Sequence, residues 1–329
     1  MDKQKEQKVI ILSGATGYVG FQVLVELIKR GYKVFCIGRN LEDKIFLKQT
    51  GANLLEIDLA SGNLKLGELE KKIPHAFAVI SCLGSRKGGI KDSWNIEYTA
   101  NKNLLNFAQT INCNKFILLS AICVQKPRLC FQKAKLAFEK ELKASNLLYS
   151  IVRPTAYFKS LAGQIKNVKD GKSFVVFDSG LNTACKPISR EDLAVFICNC
   201  LTTQEMQCKV LPIGGPGPAI TPLGQARILF EKAELPIRIR KIPSFLFLLF
   251  SYFLTPLCIF SNKLADYREF LRIVHYYATE SMLVWNPEEN KYSDRDTPEF
   301  GQDLLDTFYD YTLKNTDKNN YGVDAKLFR

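Results

Sequence analysis

The chain has 329 residues, of which 47% are hydrophobic and 24% charged, a composition typical of a globular protein with a sizeable core. Ten cysteines without a Cys-x-x-Cys spacing and only two histidines exclude zinc ribbons, clustered iron–sulfur ligation and histidine-rich metal sites, so we expect no metal. The formal net charge is +12, and the basic residues are interspersed with acidic ones. This favours an anionic small molecule or an anionic membrane surface as partner and argues against nucleic acid.

The N-terminal segment 1–8 is short, polar and rich in lysine. It lacks the apolar stretch of a signal peptide and the length of a transit peptide. We therefore expect a protein of the cytoplasm, or of the organelle in which it is made and works.

Short apolar runs alternate with helical patterns along the chain. The runs are Val9–Leu12, Lys33–Ile37, Asn53–Ile57, Phe77–Leu83, Lys115–Ser120, Leu147–Val152 and Val210–Ile213, and the helices between them include Ser93–Ala108 and Phe131–Ala144. Uniformly apolar strands separated by helices predict an α/β fold with a doubly wound parallel sheet. We expect a Rossmann core over residues 8–155. The remaining sheet elements and a smaller substrate-binding region are expected over 156–329.

A glycine pattern, Gly14-x-x-Gly17-x-x-Gly20, follows the first predicted strand and opens the first predicted helix. Glycines in this position allow a tight turn and a close approach of backbone N–H groups to a pyrophosphate, which the helix N-terminus also attracts. A glycine-rich turn that binds nothing is the alternative. The strand and helix on either side favour dinucleotide binding.

The residue after the second predicted strand distinguishes NAD from NADP. NAD sites place a carboxylate there for the ribose 2′-hydroxyl, but this strand runs into Gly38-Arg39-Asn40. A guanidinium suits the 2′-phosphate of NADP, so we expect NADPH as cofactor, with a solvated surface arginine as the alternative. Asp58 follows the third strand and could accept from the adenine amino group or cap the next helix.

Longer strings of sequence carry a resemblance to a known family. They are Ser81–Trp94, Leu119–Pro127, Ser150–Ala156, Ala184–Ser189, Leu211–Gly217 and Tyr276–Met282. With the glycine spacing, which resembles that of the extended short-chain dehydrogenase/reductases of the NmrA-like branch, these strings resemble the NADPH-dependent divinyl chlorophyllide 8-vinyl-reductases. The resemblance implies reduction of the 8-vinyl group of a divinyl chlorophyllide or protochlorophyllide to ethyl, in chlorophyll biosynthesis. The partner would be a tetrapyrrole, and the organelle would be the chloroplast, with the protein in its stroma.

The usual acid of short-chain dehydrogenases is absent. Those enzymes use Tyr-x-x-x-Lys to protonate a carbonyl oxygen, whereas this chain has Phe131 followed by Lys135. Reduction of a conjugated vinyl group needs no acid at an oxygen, because the macrocycle delocalises the charge and the cofactor supplies the hydride. We interpret Lys135 as holding the nicotinamide ribose and name Ser120 with it as catalytic. The proton donor stays open among Ser120, Lys135, Tyr157 and water.

The site residues follow from these motifs, because both the glycine turn and the ends of parallel strands lie at the ligand-binding edge of such a sheet. We expect the cofactor to contact Gly14, Thr16, Gly17, Tyr18, Val19, Gly20, Arg39, Asp58, Leu59, Cys82, Leu83, Lys135 and Pro154. We expect the substrate, through its propionate above all, to contact Arg86, Tyr157, Lys159 and Lys186, with Lys87 as a further cation.

An apolar segment, Phe245–Phe260, follows the cations Arg238, Arg240 and Lys241. It is too short and interrupted for a confident transmembrane helix. A peripheral anchor on anionic lipid through 238–260, for example at the thylakoid, fits this pattern. A buried helix or a lid over a flat substrate fits equally well.

Two other functions remain open on the sequence. One is another alkene or carbonyl reductase of the same superfamily. The other is an NmrA-like regulator that binds NADP without turnover, which the missing tyrosine at position 131 keeps open.

Overall fold

The computed structural model describes residues 7–62, 64, 66–86 and 88–315. The strands are β1 (Val9–Ser13), β2 (Lys33–Gly38), β3 (Asn53–Glu56), β4 (Ala78–Ser81), β5 (Lys115–Leu119), β6 (Leu148–Pro154), β7 (Phe174–Phe177), β8 (Lys209–Ile213), β9 (Ile239–Ile242), β10 (Val284–Asn286) and β11 (Lys291–Ser293).

The helices are α1 (Tyr18–Lys29), α2 (Ile45–Lys48), α3 (Leu66–Lys72), α4 (Ile90–Ser93), α5 (Asn101–Thr110), α6 (Cys130–Ala144), α7 (Phe158–Leu161), α8 (Ile165–Lys169), α9 (Arg190–Asn199), α10 (Pro222–Lys232), α11 (Phe245–Leu254), α12 (Asn262–Thr279) and α13 (Leu305–Lys314). A π-helical segment, Trp94–Ala100, joins α4 to α5, and short 3₁₀ turns lie at Ile122–Gln125, Ala162–Gln164, Gln204–Met206 and Pro256–Ile259.

Seven strands form one sheet in the order β3-β2-β1-β4-β5-β6-β8, and every neighbouring pair is parallel. The order reverses direction between β1 and β4, the point at which open sheets of this kind bind ligands beyond the carboxyl ends of their strands. The predicted doubly wound parallel sheet is confirmed.

The two faces of the sheet bury alternate residues of β1, as the period of a strand requires. Ile10 and Leu12 join a core cluster with α1 and α9, while Ile11 joins a second cluster with α5 and α6. Phe107 and Phe138 in the second cluster are fully buried, and burial of one such ring contributes about 1.5–3 kcal/mol. Since β8 and α9 complete this arrangement, the sheet draws on the chain beyond residue 155.

The C-terminal part adds two smaller sheets beside this core. β7 pairs with β9 in parallel, and β10 pairs with β11 in an antiparallel hairpin. A third hydrophobic cluster joins β7 to α8, α10 and α13. A fourth joins the turn after β5 to α12 through Cys123, Leu129 and Tyr276, and the half-buried Phe131 packs against it. α12 thereby forms one wall beside the start of α6.

The segment Phe245–Phe260 is neither buried nor strand-like. It forms α11 and the following 3₁₀ turn, and Ser251 is the one residue of α11 that is buried. Ile259 and Phe260 are each 84% exposed. The interpretation of this segment as a buried helix is therefore wrong. Among the residues described, no helix is both long enough and apolar enough to cross a membrane.

Candidate functional site

The glycine turn after β1 packs against the residue that follows β4. Gly14 has φ +86°, and a Cβ there would lie 2.4 Å from the carbonyl oxygen of Cys82. A Cβ on Gly20 would lie 2.1 Å from the Gly14 carbonyl oxygen. Both distances are far below van der Waals contact, so only glycine allows this turn.

The turn leads into α1, whose N-terminus is open to an anion. α1 has twelve residues, its N-cap is Gly17 without a side-chain cap, and its first turn contains no acidic residue. The first N–H groups of a helix have no partner within the helix, and they carry partial positive charge. Thr16, Tyr18 and Val19 lie at this same end. The backbone that the sequence assigned to a dinucleotide pyrophosphate therefore fits one.

Arg39 and Asp58 come together at the ends of β2 and β3. Arg39 Nε lies 4.0 Å from Asp58 Oδ1, with the side chains 57% and 47% exposed. Glu56 fixes the turn beside them, because its carboxylate accepts from the backbone N–H groups of Asn40 and Glu42 at 3.2 and 3.4 Å. Asp58 also accepts from the Ala60 N–H at 3.0 Å. Leu59 is buried in the core below them.

Lys135 lies in a buried ion pair. Its Nζ is 2.7 Å from Oε2 of Glu97, and the two side chains are 12% and 3% exposed. Oε1 of Glu97 accepts from the backbone N–H and the hydroxyl of Ser85, at 2.8 and 3.1 Å. This carboxylate thus ties the loop that follows β4 to the lysine of α6.

The hydroxyl of Ser120 is already engaged in a hydrogen bond within the protein. Its hydroxyl is buried and donates to Glu139 Oε1 at 2.6 Å. The same carboxylate pairs with Arg153 of β6, whose Nε lies 3.1 Å from Oε1. A hydroxyl proton shared with a buried carboxylate is held in place, so Ser120 fits a supporting position at the end of β5.

Tyr157 follows β6 beyond Pro154 and reaches the same region. Its ring centroid lies 6.4 Å from that of Tyr18. Burial, with smaller contributions from the thiols of Cys82 and Cys123 and from Glu97, holds the pKa of the Tyr157 phenol well above its usual range. The phenol is therefore neutral and keeps its proton at physiological pH.

Cys82 stays neutral for the same reason. Burial raises the pKa of its thiol, an effect that the Cys198 thiol increases and that Lys135 opposes. Cys82 and the half-buried Leu83 line the loop between the glycine turn and Ser85. They contribute an apolar wall and no nucleophile.

Of the four residues expected at the substrate, only some lie beside the glycine turn. Lys159 Nζ lies 5.2 Å from the centre of the Tyr18 ring, so this lysine does adjoin the glycine turn. Arg86 is exposed on the loop after β4, and Lys87 lies outside the described residues.

Lys186 is paired with carboxylates of the protein itself. It is 4% exposed, and its Nζ lies 2.5 Å from Glu299 and 2.9 Å from Asp294. Burial alone would lower the pKa of Lys186, but the two carboxylates outweigh it and the pKa is raised. The charge expected to meet a substrate carboxylate is thus already compensated within the protein.

Sequence reasoning missed Glu97. A signal was present, because Glu97, Asn101, Leu104 and Ala108 recur at helical spacing and are all buried. A carboxylate within an apolar helix face needs a partner, and the lysine of the next helix supplies one. Among the described residues, no group of three or more His, Cys, Asp or Glu side chains could hold a metal ion.

Known proteins match this chain in sequence over most of its length. The family model described as NAD(P)H-binding matches residues 14–204. The chain is 41% identical over 321 residues to the divinyl chlorophyllide a 8-vinyl-reductase of Zea mays, covering 94% of this chain and 80% of that protein. The protein of the same name from Arabidopsis thaliana is 43% identical over 318 residues, covering 91% and 75%. Both relatives are described as chloroplastic.

Among solved structures, the NADPH complex of a quinone oxidoreductase from Escherichia coli superposes with a TM-score of 0.66 at 15% identity, covering 94% of this chain and 100% of that one. At this identity the likeness concerns the fold. The identity to the plant proteins extends over more than nine-tenths of the chain. The chain therefore belongs to the NAD(P)H-binding family and, within it, to the divinyl chlorophyllide a 8-vinyl-reductases.

Proposed function

We propose that this protein reduces the 8-vinyl group of a divinyl chlorophyllide, or of its protochlorophyllide precursor, to an ethyl group. The reaction consumes NADPH and one proton and gives the ethyl product and NADP⁺. The observation that supports this most is the identity of 41–43% to plant proteins of that name over more than nine-tenths of the chain.

We propose NADPH rather than NADH because of the end of β2. Arg39 stands where an NAD site needs a carboxylate, and its side chain is more than half exposed beside Asp58. An exposed guanidinium is free to turn toward a 2′-phosphate and to bind it with charge-assisted hydrogen bonds.

The roles of the residues follow from their placement. When bound, the cofactor supplies the hydride. The glycine turn and the N-terminus of α1 hold the pyrophosphate, and Lys135 orients the ribose next to the nicotinamide. Of the proton sources left open by the sequence, Tyr157 now fits best. Ser120 donates to Glu139 and Lys135 is assigned to the ribose, whereas the Tyr157 phenol keeps its proton at the site.

The direct test is incubation with divinyl chlorophyllide and NADPH, followed by the absorbance change on loss of vinyl conjugation. We expect turnover with NADPH and little with NADH. Lys135→Ala should lower turnover at least about tenfold, roughly 1.4 kcal/mol in the barrier. Phe131→Tyr should stay within about tenfold, because it removes no catalytic group. Tight NADPH binding without any turnover would instead favour the NmrA-like regulator.

We also propose a chloroplast location with peripheral contact to an anionic membrane through α11 and its 3₁₀ turn. The support is an exposed apolar surface, which we call the α11 surface and define by Phe245, Leu249, Phe250, Tyr252, Phe253, Leu257, Ile259 and Phe260. The cations Arg238, Arg240, Lys241 and Lys263 beside it are exposed. Apolar side chains flanked by cations match the interface of an anionic bilayer.

The α11 surface is linked through α12 to the helix that leads to Glu97. α11 packs against α12, and Asp266 of α12 accepts from the backbone N–H of Ile90 at 2.9 Å. Ile90 begins the helix that continues into the Glu97 segment. A protein bound to lipid through the α11 surface would therefore hold α12 and the helix that leads to Glu97 close to the membrane.

A further inference from the structure

Glu97 occupies an unusual position in the backbone. It lies in the middle of the π-helical segment Trp94–Ala100, which interrupts an otherwise continuous helix from Ile90 to Thr110. A π-helical turn inserts one extra residue and is found most often at functional sites. Here the insertion brings a carboxylate to the inner face of the helix.

Glu97 lies among residues that the sequence assigns to the cofactor. Its Oε1 receives both hydrogen bonds of Ser85, three residues after Cys82. Cys82 itself is the residue that the glycine turn touches. The charge of Glu97 also acts on the Tyr157 phenol.

The other oxygen of Glu97 is only partly used. Oε2 is buried and lies 2.7 Å from Lys135 Nζ, but no hydrogen bond with suitable angles reaches it from the described residues. This one contact engages a single proton of the Lys135 ammonium group, which has three. The other protons can be donated to another acceptor.

We propose that Glu97 is a positioning residue of the reductase that acts through Lys135 and sets the net charge of the nicotinamide pocket. Lys135 alone would make the pocket positive. Loss of hydride turns a neutral dihydronicotinamide ring into a cationic one, and a buried positive charge nearby opposes that change. With Glu97 paired to it, Lys135 keeps its hydrogen-bond donors for the ribose while the pocket stays neutral overall.

This inference rests on the proposed function, but its test needs no substrate. The quantity to measure is the ratio of the dissociation constants of NADP⁺ and NADPH, by calorimetry or by nicotinamide fluorescence. Glu97→Gln leaves the Lys135 charge unopposed, so we expect the ratio to rise at least about threefold. In the double variant Glu97→Gln/Lys135→Met both charges are gone, and the ratio should return to within about twofold of the parent.

Glu269 provides a matched control. It is 0% exposed, accepts from the backbone N–H of Cys130 at 2.7 Å and pairs with Arg272 at 2.9 Å. Glu269→Gln therefore removes a carboxylate that is as buried as Glu97, although its partner Arg272 is 34% exposed against 12% for Lys135. It should lower the stability of the protein as Glu97→Gln does, without changing the NADP⁺/NADPH ratio.

The cycle gives clear outcomes. A ratio that is unchanged in folded Glu97→Gln, or that stays raised in the double variant, would overturn the proposal. If Glu97→Gln does not fold, Lys135→Met is compared with the double variant. Lys135→Met should then bind NADP⁺ relatively more tightly, and equal ratios would refute the role of Glu97. A protein that fails to reduce divinyl chlorophyllide but shows the expected ratios would leave this inference standing and the proposed function wrong.

Discussion

Arg39 Nε lies 4.0 Å from Asp58 Oδ1 at the ends of two neighbouring strands. The pair is exposed, and exposed ion pairs contribute at most about 1 kcal/mol, so a 2′-phosphate can displace the carboxylate at little cost. Arg39→Ala should weaken NADPH binding by about 1.5–3 kcal/mol, measured by calorimetry. Binding of NADH should be unchanged, and equal losses for both cofactors would show that Arg39 does not read the phosphate.

The glycine turn should tolerate no side chain. Gly20→Ala places a Cβ 2.1 Å from a backbone oxygen, so the turn must move and NADPH binding should fall at least about a hundredfold, roughly 2.7 kcal/mol. Gly67→Ala is the matched control, because Gly67 lies in α3 with nothing within 4 Å of the added atom. It should raise the free energy of unfolding by about 0.5–1 kcal/mol and leave NADPH binding alone. Comparable binding losses in both variants would mean that the loss is not local to the turn.

The α11 surface should bind anionic vesicles. Wild-type protein should co-sediment with vesicles that contain phosphatidylglycerol, and high salt should weaken this by screening the flanking cations. Replacing Ile259 and Phe260 with Asp should abolish co-sedimentation, because both side chains are 84% exposed. Ile45→Asp, at a 71% exposed position on α2, should have no effect. Absence of the wild-type protein from the pellet at low salt would favour a lid.

Buried thiols should make the fold sensitive to alkali. Burial raises the pKa of Cys36, Cys185, Cys198 and Cys200 to about 12. Below pH 9 these thiols are protonated in both states. Between about pH 9 and pH 12 the unfolded chain releases their protons while the folded chain retains them, so the free energy of unfolding falls as pH rises.

Urea unfolding at pH 8 and at pH 10.5 measures this loss of stability. A variant with alanine at positions 36, 198 and 200 is less stable at pH 8, because cavities replace the thiols. Its further loss at pH 10.5 should nevertheless be smaller than that of the parent. An identical pH dependence in the two proteins would assign the effect to other groups.

The sheet could be predicted because its signal is local. Each buried parallel strand is a nearly uniform apolar run. The predicted run Lys33–Ile37, for example, forms β2, which is one residue longer. The helix Ser93–Ala108 was predicted as continuous, but Trp94–Ala100 is π-helical. A single π-helical segment hardly changes the spacing of the hydrophobic residues. The change from α-helical to π-helical hydrogen bonds therefore leaves no clear trace in the sequence.

The placement of charges was harder to predict because it depends on distant partners. Lys186 stands in a run that gives no sign of Asp294 and Glu299, more than a hundred residues further on, so the sequence could not show that its charge is paired. The apolar segment Phe245–Phe260 shows the converse, because composition does not say whether an apolar side chain is covered. The spacing alone predicts the position of Arg39 at the end of β2, and binding of the 2′-phosphate by Arg39 stays a prediction.

The most direct measurement of the central claim follows two isotopes through one turnover. NADPH that carries deuterium at its transferred position should give an ethyl group with one deuterium at one carbon. Unlabelled NADPH in deuterated water should place one deuterium at the other carbon, because the proton arrives from the protein or the solvent. We expect one deuterium in each of these two experiments, and none when unlabelled NADPH is used in ordinary water. If both of the hydrogens added to the vinyl group came from water, direct hydride transfer from NADPH within the site of Gly14, Lys135 and Tyr157 would be contradicted.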